Sequence, residues 1–227
     1  MLLESEPLRA GIYGTRSSNN WNATPAKMDV LNLRRIFPGG KWGIPTLEPC
    51  GHIPTTLAAW HHPAAREAAA QTGGALHFFL DDYRFERVWW KPEACLSRLR
   101  EVGAALTPDF SLWRDMPAVT QMWQIYRSRW CGAYWQSQGI QVIPTVGWAG
   151  PESYEFAFQG LPHHSVVAVS ALGVNDDLAR ELFQAGIEAM IDECEPSLLL
   201  SYGKLPAAVD VPVREYPTFW DIRRPPR

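Results

Sequence analysis

Long apolar runs are missing from this chain. No stretch approaches the roughly 18 unbroken apolar residues that a membrane-spanning helix requires. The opening MLLESEPLRAG carries acidic residues where a secretory leader would carry an apolar core. The expectation is a soluble, cytoplasmic protein with no membrane partner. A large charge excess is missing too: the net charge is −3, which excludes a polycationic nucleic-acid glove and places any phosphate contact in a local patch. The four cysteines, Cys50, Cys95, Cys131 and Cys194, form no C-x-x-C pair. That excludes a zinc ribbon or dithiol motif and leaves reduced core thiols as the simplest reading. The C-x-H of Cys50 and His52, followed by His61 and His62, offers metal-ligand types, but its spacing matches no zinc pattern and Pro54 and Pro63 interrupt it. The chain also lacks the glycine spacing of a dinucleotide loop, the Gly-Lys-Ser/Thr of a P-loop and any G-x-S-x-G.

What is present is aromatic surface. Eleven tryptophans occur among 227 residues of which 46% are hydrophobic, enough for one large core with indoles to spare for stacking on bases or sugars. Residues 1–40, with SSNNWN, a Pro-Gly-Gly turn and the short amphipathic piece MDVLNLRRIF, read as an N-terminal arm containing loops and one short helix. Residues 41–216 read as a single α/β domain, and 217–227, ending IRRPPR, as a basic, proline-containing tail.

Within 41–216, apolar runs of strand length alternate with helical segments, the rhythm of a parallel βα fold. The predicted strands are IPTL from Ile44, LHFFLDD from Leu76, LTPDFSLW from Leu106, QVIPTVGW from Gln141, SVVAVSAL from Ser165, SLLLSYG from Ser197 and VREYP from Val213. Helices are expected at TTLAAW with PAAREAAAQ, PEACLSRLREVG, the long stretch 116–138, PESYEFAFQG, and NDDLARELFQAGIEAMIDECEP, with Gly103, Gly139, Gly160 and Pro196 marking ends. Eight strands would be crowded here, since a full barrel takes about 250 residues. The expected fold is therefore a small or incomplete TIM-barrel-like fold, with an open doubly wound sheet as the alternative.

Nearly every predicted strand carries polar groups at its C-terminal end, where parallel α/β folds place their chemistry. HFFLDDYRFERVW sets Asp81 and Asp82 against an apolar run, with Arg84 and Arg87 as the nearest cations. Asp109 follows a proline near the end of the next strand, so Asp82 and Asp109 could face each other, share a proton or hold a divalent cation. On the long helix, Arg127 falls on the stripe of Val119, Trp123, Trp130 and Tyr134, placed as counter-ion to a buried acid or as an anion clamp; Arg129 falls off that stripe. Asp82, Asp109 and Arg127 are the candidate catalytic residues. Arg84, Trp148, Ser170, Tyr202 and Lys204 are the candidate substrate-binding residues.

GIPTLEP, HFFLDDYRFERVW, LTPDFSLWRDMP, the block from Gln121 to Gln138, GIQVIPTVGW, FQGLP, VVAVSALGV and SYGK together resemble the family described as domain of unknown function 4417, found in bacteria, phages and other mobile elements. The likeness spans about residues 40 to 204. It implies a phage, prophage or plasmid setting, and it brings no catalytic residue or cofactor with it.

Two functional expectations follow. One is an enzyme, a hydrolase or transferase of phosphoryl or glycosidic bonds, whose strand-end acids act on a nucleotide or nucleic-acid-derived substrate. The other is a non-catalytic binding protein that docks nucleic acid or a host protein through its tryptophans and basic tail.

Overall fold

The computed structural model describes residues 29–206 and 208–223, and the chain divides into two compact units, 1–37 and 38–227. In the first unit, the described residues 29–37 form turns where a short helix was expected. The carboxylate of Asp29 accepts hydrogen bonds from the amides of Leu33 and Arg34 at 2.7 and 3.1 Å, and Asn32 sits at φ 54°, so local side-chain bonding displaces the helical ladder.

Among the described residues the second unit carries seven parallel strands: β1 Leu57–Ala59, β2 Ala75–His77, β3 Ala104–Leu106, β4 Gln141–Ile143, β5 Val166–Ser170, β6 Leu198–Tyr202 and β7 Val213–Tyr216. They form a four-stranded sheet ordered β1-β2-β3-β4 and a three-stranded sheet ordered β5-β6-β7. The order is sequential throughout, without the reversal of a doubly wound sheet. A parallel bridge between Thr145 and Ala168 joins the two sheets, but the sheets do not close on themselves. The barrel expectation thus holds at the level of parallel βα units only.

Helices follow most strands: α1 Pro63–Thr72, α2 Arg87–Trp90, α3 Pro92–Val102, α4 Ala118–Ser137, α5 Tyr154–Ala157, α6 Asp177–Cys194 and α7 Phe219–Arg223. Proline supplies the preset φ of the first turn in α1 and α3. Gly73 and Gly103 end these helices in the left-handed region, at φ 72° and 82°, and turn the chain directly into the next strand.

Two strand expectations need correction. IPTL forms no strand: among the described residues it makes only an isolated bridge between Pro45 and Gly39, since proline lacks the amide a ladder needs. The first strand is instead Leu57–Ala59, inside a segment expected to be helical; its alanines fit either state, and pairing with β2 selects the strand. β2 and β3 are also shorter than expected, ending at His77 and Leu106, so DDYR and DFSLW become loops.

The period of two along β5 and β6 divides the core. Ala75, Leu106, Ile143, Ala168, Leu200 and Tyr216, drawn from β2 through β7, belong to one buried cluster. Val167, Val169 and Leu199 point the other way, against Ile187 and Met190 of α6. The Tyr216 hydroxyl donates to the Pro54 carbonyl at 2.6 Å, linking β7 to the segment entering β1. The consequence for function is directional: all seven strands run the same way, so their C-terminal loops gather at one end.

Candidate functional site

At that end lies a cleft of about 960 Å³, walled by loops after every strand. His61 comes from the loop after β1, Asp81 and Arg84 after β2, Asp109, Ser111 and Arg114 after β3, and Gly147 and Trp148 after β4. Ser170 and Asp176 come from the β5 side, Tyr202 from β6, and Phe219 and Trp220 from α7. The volume lies within the range of small-molecule sites, about 300–1,000 Å³.

Asp109 is the residue that stands out. A reciprocal tie holds its loop in place: the Thr145 amide donates to the Thr107 hydroxyl at 2.8 Å, and the Thr145 hydroxyl donates to the Thr107 carbonyl at 2.7 Å. Past this clasp the chain delivers Asp109 and Gly147 to the cleft floor, where an ideal Cβ on Gly147 would lie 3.8 Å from Asp109 Oδ1. Asp109 keeps some exposure toward the cleft it lines, yet among the described residues nothing donates a hydrogen bond to its carboxylate. Desolvation first, and the nearby charge of Asp82 second, raise its pKa to about 7. Most structural carboxylates are held ionised by donors; this one is left to hold a proton near neutrality.

Asp82 plays a different part. Its carboxylate accepts the Ser111 hydroxyl at 2.9 Å and the Ser111 amide at 3.2 Å, tying the β2 loop to the β3 loop. Because β2 stops at His77, Asp82 opens a short 3-10 turn, Asp82–Arg84, and does not line the cleft. The two aspartates are close enough for one charge to act on the other, but only Asp109 faces the cavity. Among the described residues no group of three or more His, Cys, Asp or Glu side chains is arranged to hold a metal ion.

Arg127 lies outside the cleft. Its Nη1 pairs with Glu86 at 2.9 Å, its other nitrogens donate to Gln124, and its guanidinium sits 3.8 Å from the centre of the Phe110 ring. It is a counter-ion to Glu86 and not to an aspartate at a strand end. Arg129, set aside by the sequence reading, is fully buried and donates to the carbonyls of Thr145, Ala157 and Gln159 at 3.0 to 3.2 Å. Desolvation lowers its pKa to about 10, so it stays charged and clamps the β4 loop to α5.

The five expected substrate contacts divide. Arg84 lines the cleft with Asp81 as an exposed partner at 3.2 Å. Trp148 forms wall: its indole Nε1 donates to the Leu182 carbonyl at 3.2 Å and its ring packs on Phe183. Ser170 lines the cleft while its hydroxyl accepts the Leu172 amide at 3.2 Å. Tyr202 lines it too, packs against Phe79 and His77, and accepts the Phe219 amide at 2.9 Å. Lys204 is exposed and does not line the cleft.

Sequence reasoning missed Arg114, Gly147, Phe219 and Trp220, and weighed His61 only as a metal ligand beside Cys50, His52 and His62. The place of His61 at the cleft was hidden by reading LAAW as helix. Arg114 stands three residues past Ser111 in LTPDFSLWRDMP, a legible signal once β3 is ended at Leu106. Burial, then the charges of Arg84, His62 and Arg66, lower the His61 pKa. Phe219 and Trp220 fall in the stretch read as tail, of which residues 224–227 lie outside the described residues.

The model of the domain of unknown function DUF4417 matches residues 38–221. Over 218 residues the chain is 55% identical to the gene 1 protein of Mycobacterium phage D29, covering 94% of this chain and 81% of that protein. It is 54% identical over 218 residues to the gene 1 protein of Mycobacterium phage L5, covering 94% of this chain and 95% of that one. No solved structure matches. Among the described residues no helix is long and apolar enough to cross a membrane.

Proposed function

We start from the fact that this chain belongs to the DUF4417 family, and we propose that its strand-end cleft is the active site of a hydrolase or transferase acting on a nucleotide or nucleic-acid-derived substrate. In this reading Asp109 is a general acid. It holds a proton near neutral pH and delivers it to the oxygen or nitrogen that leaves as a phosphoryl or glycosidic bond breaks and a bond to water, or to an acceptor hydroxyl in a transferase, forms. The proton released by that incoming group restores the acid. Asp82 is a positioning residue, fixing the Asp109 loop through Ser111 and helping to keep the proton on Asp109. Arg127 supports the scaffold. The fold is an incomplete barrel whose seven parallel strands aim their loops at one mouth, and the setting is the cytoplasm of a phage-infected cell.

The observation that carries this reading is the state of Asp109: a cleft-facing carboxylate with no donor among the described residues and a pKa raised to about 7. Leaving such a group unpaired costs stability, which a purely structural aspartate would not need. The cations Arg84 and Arg114 and the aromatics Trp148 and Trp220 around it support an anionic substrate with a planar ring.

The test is turnover of nucleotides, nucleosides and short oligonucleotides by the purified chain, with and without Asp109→Asn. The expected result is turnover that the substitution removes while the melting profile stays cooperative. Equal turnover by the variant would sink the acid assignment. Absence of turnover with any substrate, together with a salt-dependent association with nucleic acid, would favour the binding-protein reading instead.

A further inference from the structure

Charge is not spread evenly around this cleft. β1, β2 and β3 are neighbours in one sheet, and the loop after each brings one basic side chain to the rim: His61, Arg84 and Arg114. The opposite rim, after β5, β6 and β7, brings Ser170, Asp176, Tyr202, Phe219 and Trp220, with no lysine or arginine among its described lining residues. Arg84 and Arg114 on one side of the mouth suit an anion, and Phe219 and Trp220 on the other suit a flat ring.

The cations are available. Arg84 lies 5.0 Å from the centre of the Tyr83 ring and pairs with Asp81, an exposed i, i+3 pair at 3.2 Å that contributes little in water and is readily exchanged for a better acceptor. Arg114 is exposed and makes no ion pair among the described residues. A phosphate offers a guanidinium two oxygens in the matching fork geometry.

The aromatic side is held in place. The Thr218 amide and hydroxyl both donate to Asp221, at 2.9 and 2.6 Å, and the Phe219 amide donates to the Tyr202 hydroxyl. This anchored turn nevertheless leaves Trp220 64% exposed at the cleft. An uncovered indole lining a cavity offers a stacking surface for a planar ring.

Between the two rims lies Asp109 on the floor. A cleft of about 960 Å³ accommodates one ligand of nucleotide size. Resting on the reading of this cleft as an active site, we propose that its ligand is a single nucleoside phosphate, with the phosphate on Arg84 and Arg114, the base on Trp220 and the sugar over Asp109. On this reading the monomer, whose size the cleft volume matches, is the substrate class and the polymer is not.

Calorimetric titration of the full chain, native and carrying Asp109→Asn, tests this. The probes are nucleoside 5′-monophosphates, the matching nucleosides, inorganic phosphate and a short single-stranded oligonucleotide. At least one monophosphate should bind about tenfold or more tighter than its nucleoside and than inorganic phosphate. Arg114→Ala should erase the advantage over the nucleoside, and Trp220→Ala the advantage over inorganic phosphate. Both side chains are exposed, so neither change threatens folding. The proposal is overturned if no monophosphate binds, if nucleoside and nucleotide bind alike, or if the oligonucleotide binds tighter than every monomer. These results are distinct from failure of the acid assignment, in which monophosphates bind but Asp109→Asn turns substrate over as fast as the native chain.

Discussion

The carboxylate of Asp82 accepts both the hydroxyl and the amide of Ser111, at 2.9 and 3.2 Å, so one aspartate outside the cleft fixes the loop that carries another aspartate into it. The same carboxylate contributes, after desolvation, to the raised pKa of Asp109. One residue thus contributes to both position and protonation, and the two effects can be separated. Asp82→Asn keeps an acceptor for Ser111 but removes the charge. Its expected outcome is a near-native melting temperature and a pH–rate limb for Asp109 that moves to lower pH. Ser111→Ala should do the reverse, loosening the loop while leaving the charge.

Asp109 itself should make stability depend on pH. Its folded pKa of about 7 lies above its unfolded value, so the folded state keeps a proton that the unfolded state has lost. Stability therefore falls as pH rises from about 4, the ordinary carboxylate value, to about 7, and levels off above that. Asp109→Asn should remove this slope. The variant should melt like the native chain near pH 4 and at higher temperature than it above pH 7, read by thermal melts across that range.

Gly147 should control access to the acid. A Cβ there would meet Leu112 Cδ1 at 3.5 Å and Asp109 Oδ1 at 3.8 Å, ordinary contacts that leave the fold undisturbed. Gly147→Ala should change stability by no more than about 0.5 kcal/mol. Gly147→Val should fold as well but raise KM and lower kcat by standing between ligand and carboxylate.

Gly186 should control the wall. A Cβ at this position would fall 2.0 Å from Trp148 Nε1, inside any allowed contact. Gly186→Ala should break the Trp148 bond to the Leu182 carbonyl, push the indole toward the cleft, and cost about 1–3 kcal/mol in denaturant melts. A shift of tryptophan fluorescence should accompany it.

Arg127 should behave as scaffold. Removing it leaves Glu86 and Gln124 without their donor and uncovers Phe110, so Arg127→Ala should destabilise by about 3 kcal/mol in denaturant titration. Ligand affinity per folded molecule should stay within about twofold.

The alternation of apolar runs with helical segments, which made the chain readable as parallel βα units, comes from the covalent order of side chains, and six of the seven strands lie in or beside the predicted runs. Leu57–Ala59 was not legible, because three small or apolar residues suit helix and strand alike and only the β2 edge decides between them. Asp109 was legible as a polar group at a strand end. Its separation from Asp82 was not, because β2 ends four residues before Asp81 and the turn that follows rotates Asp82 toward Ser111.

What the sequence by itself determined is therefore the class of fold, the family and the end of the sheet that bears polar groups. All three depend on local pattern, and local pattern is a property of neighbours along the chain. Which aspartate meets the cavity, which arginine is spent on Glu86 and which stays open, and that residues near the C-terminus supply an aromatic wall, were decided by tertiary structure alone. Charges, donors and rings acquire their roles from what lies within a few ångströms in space, and those distances arise only after strands far apart in the chain have paired.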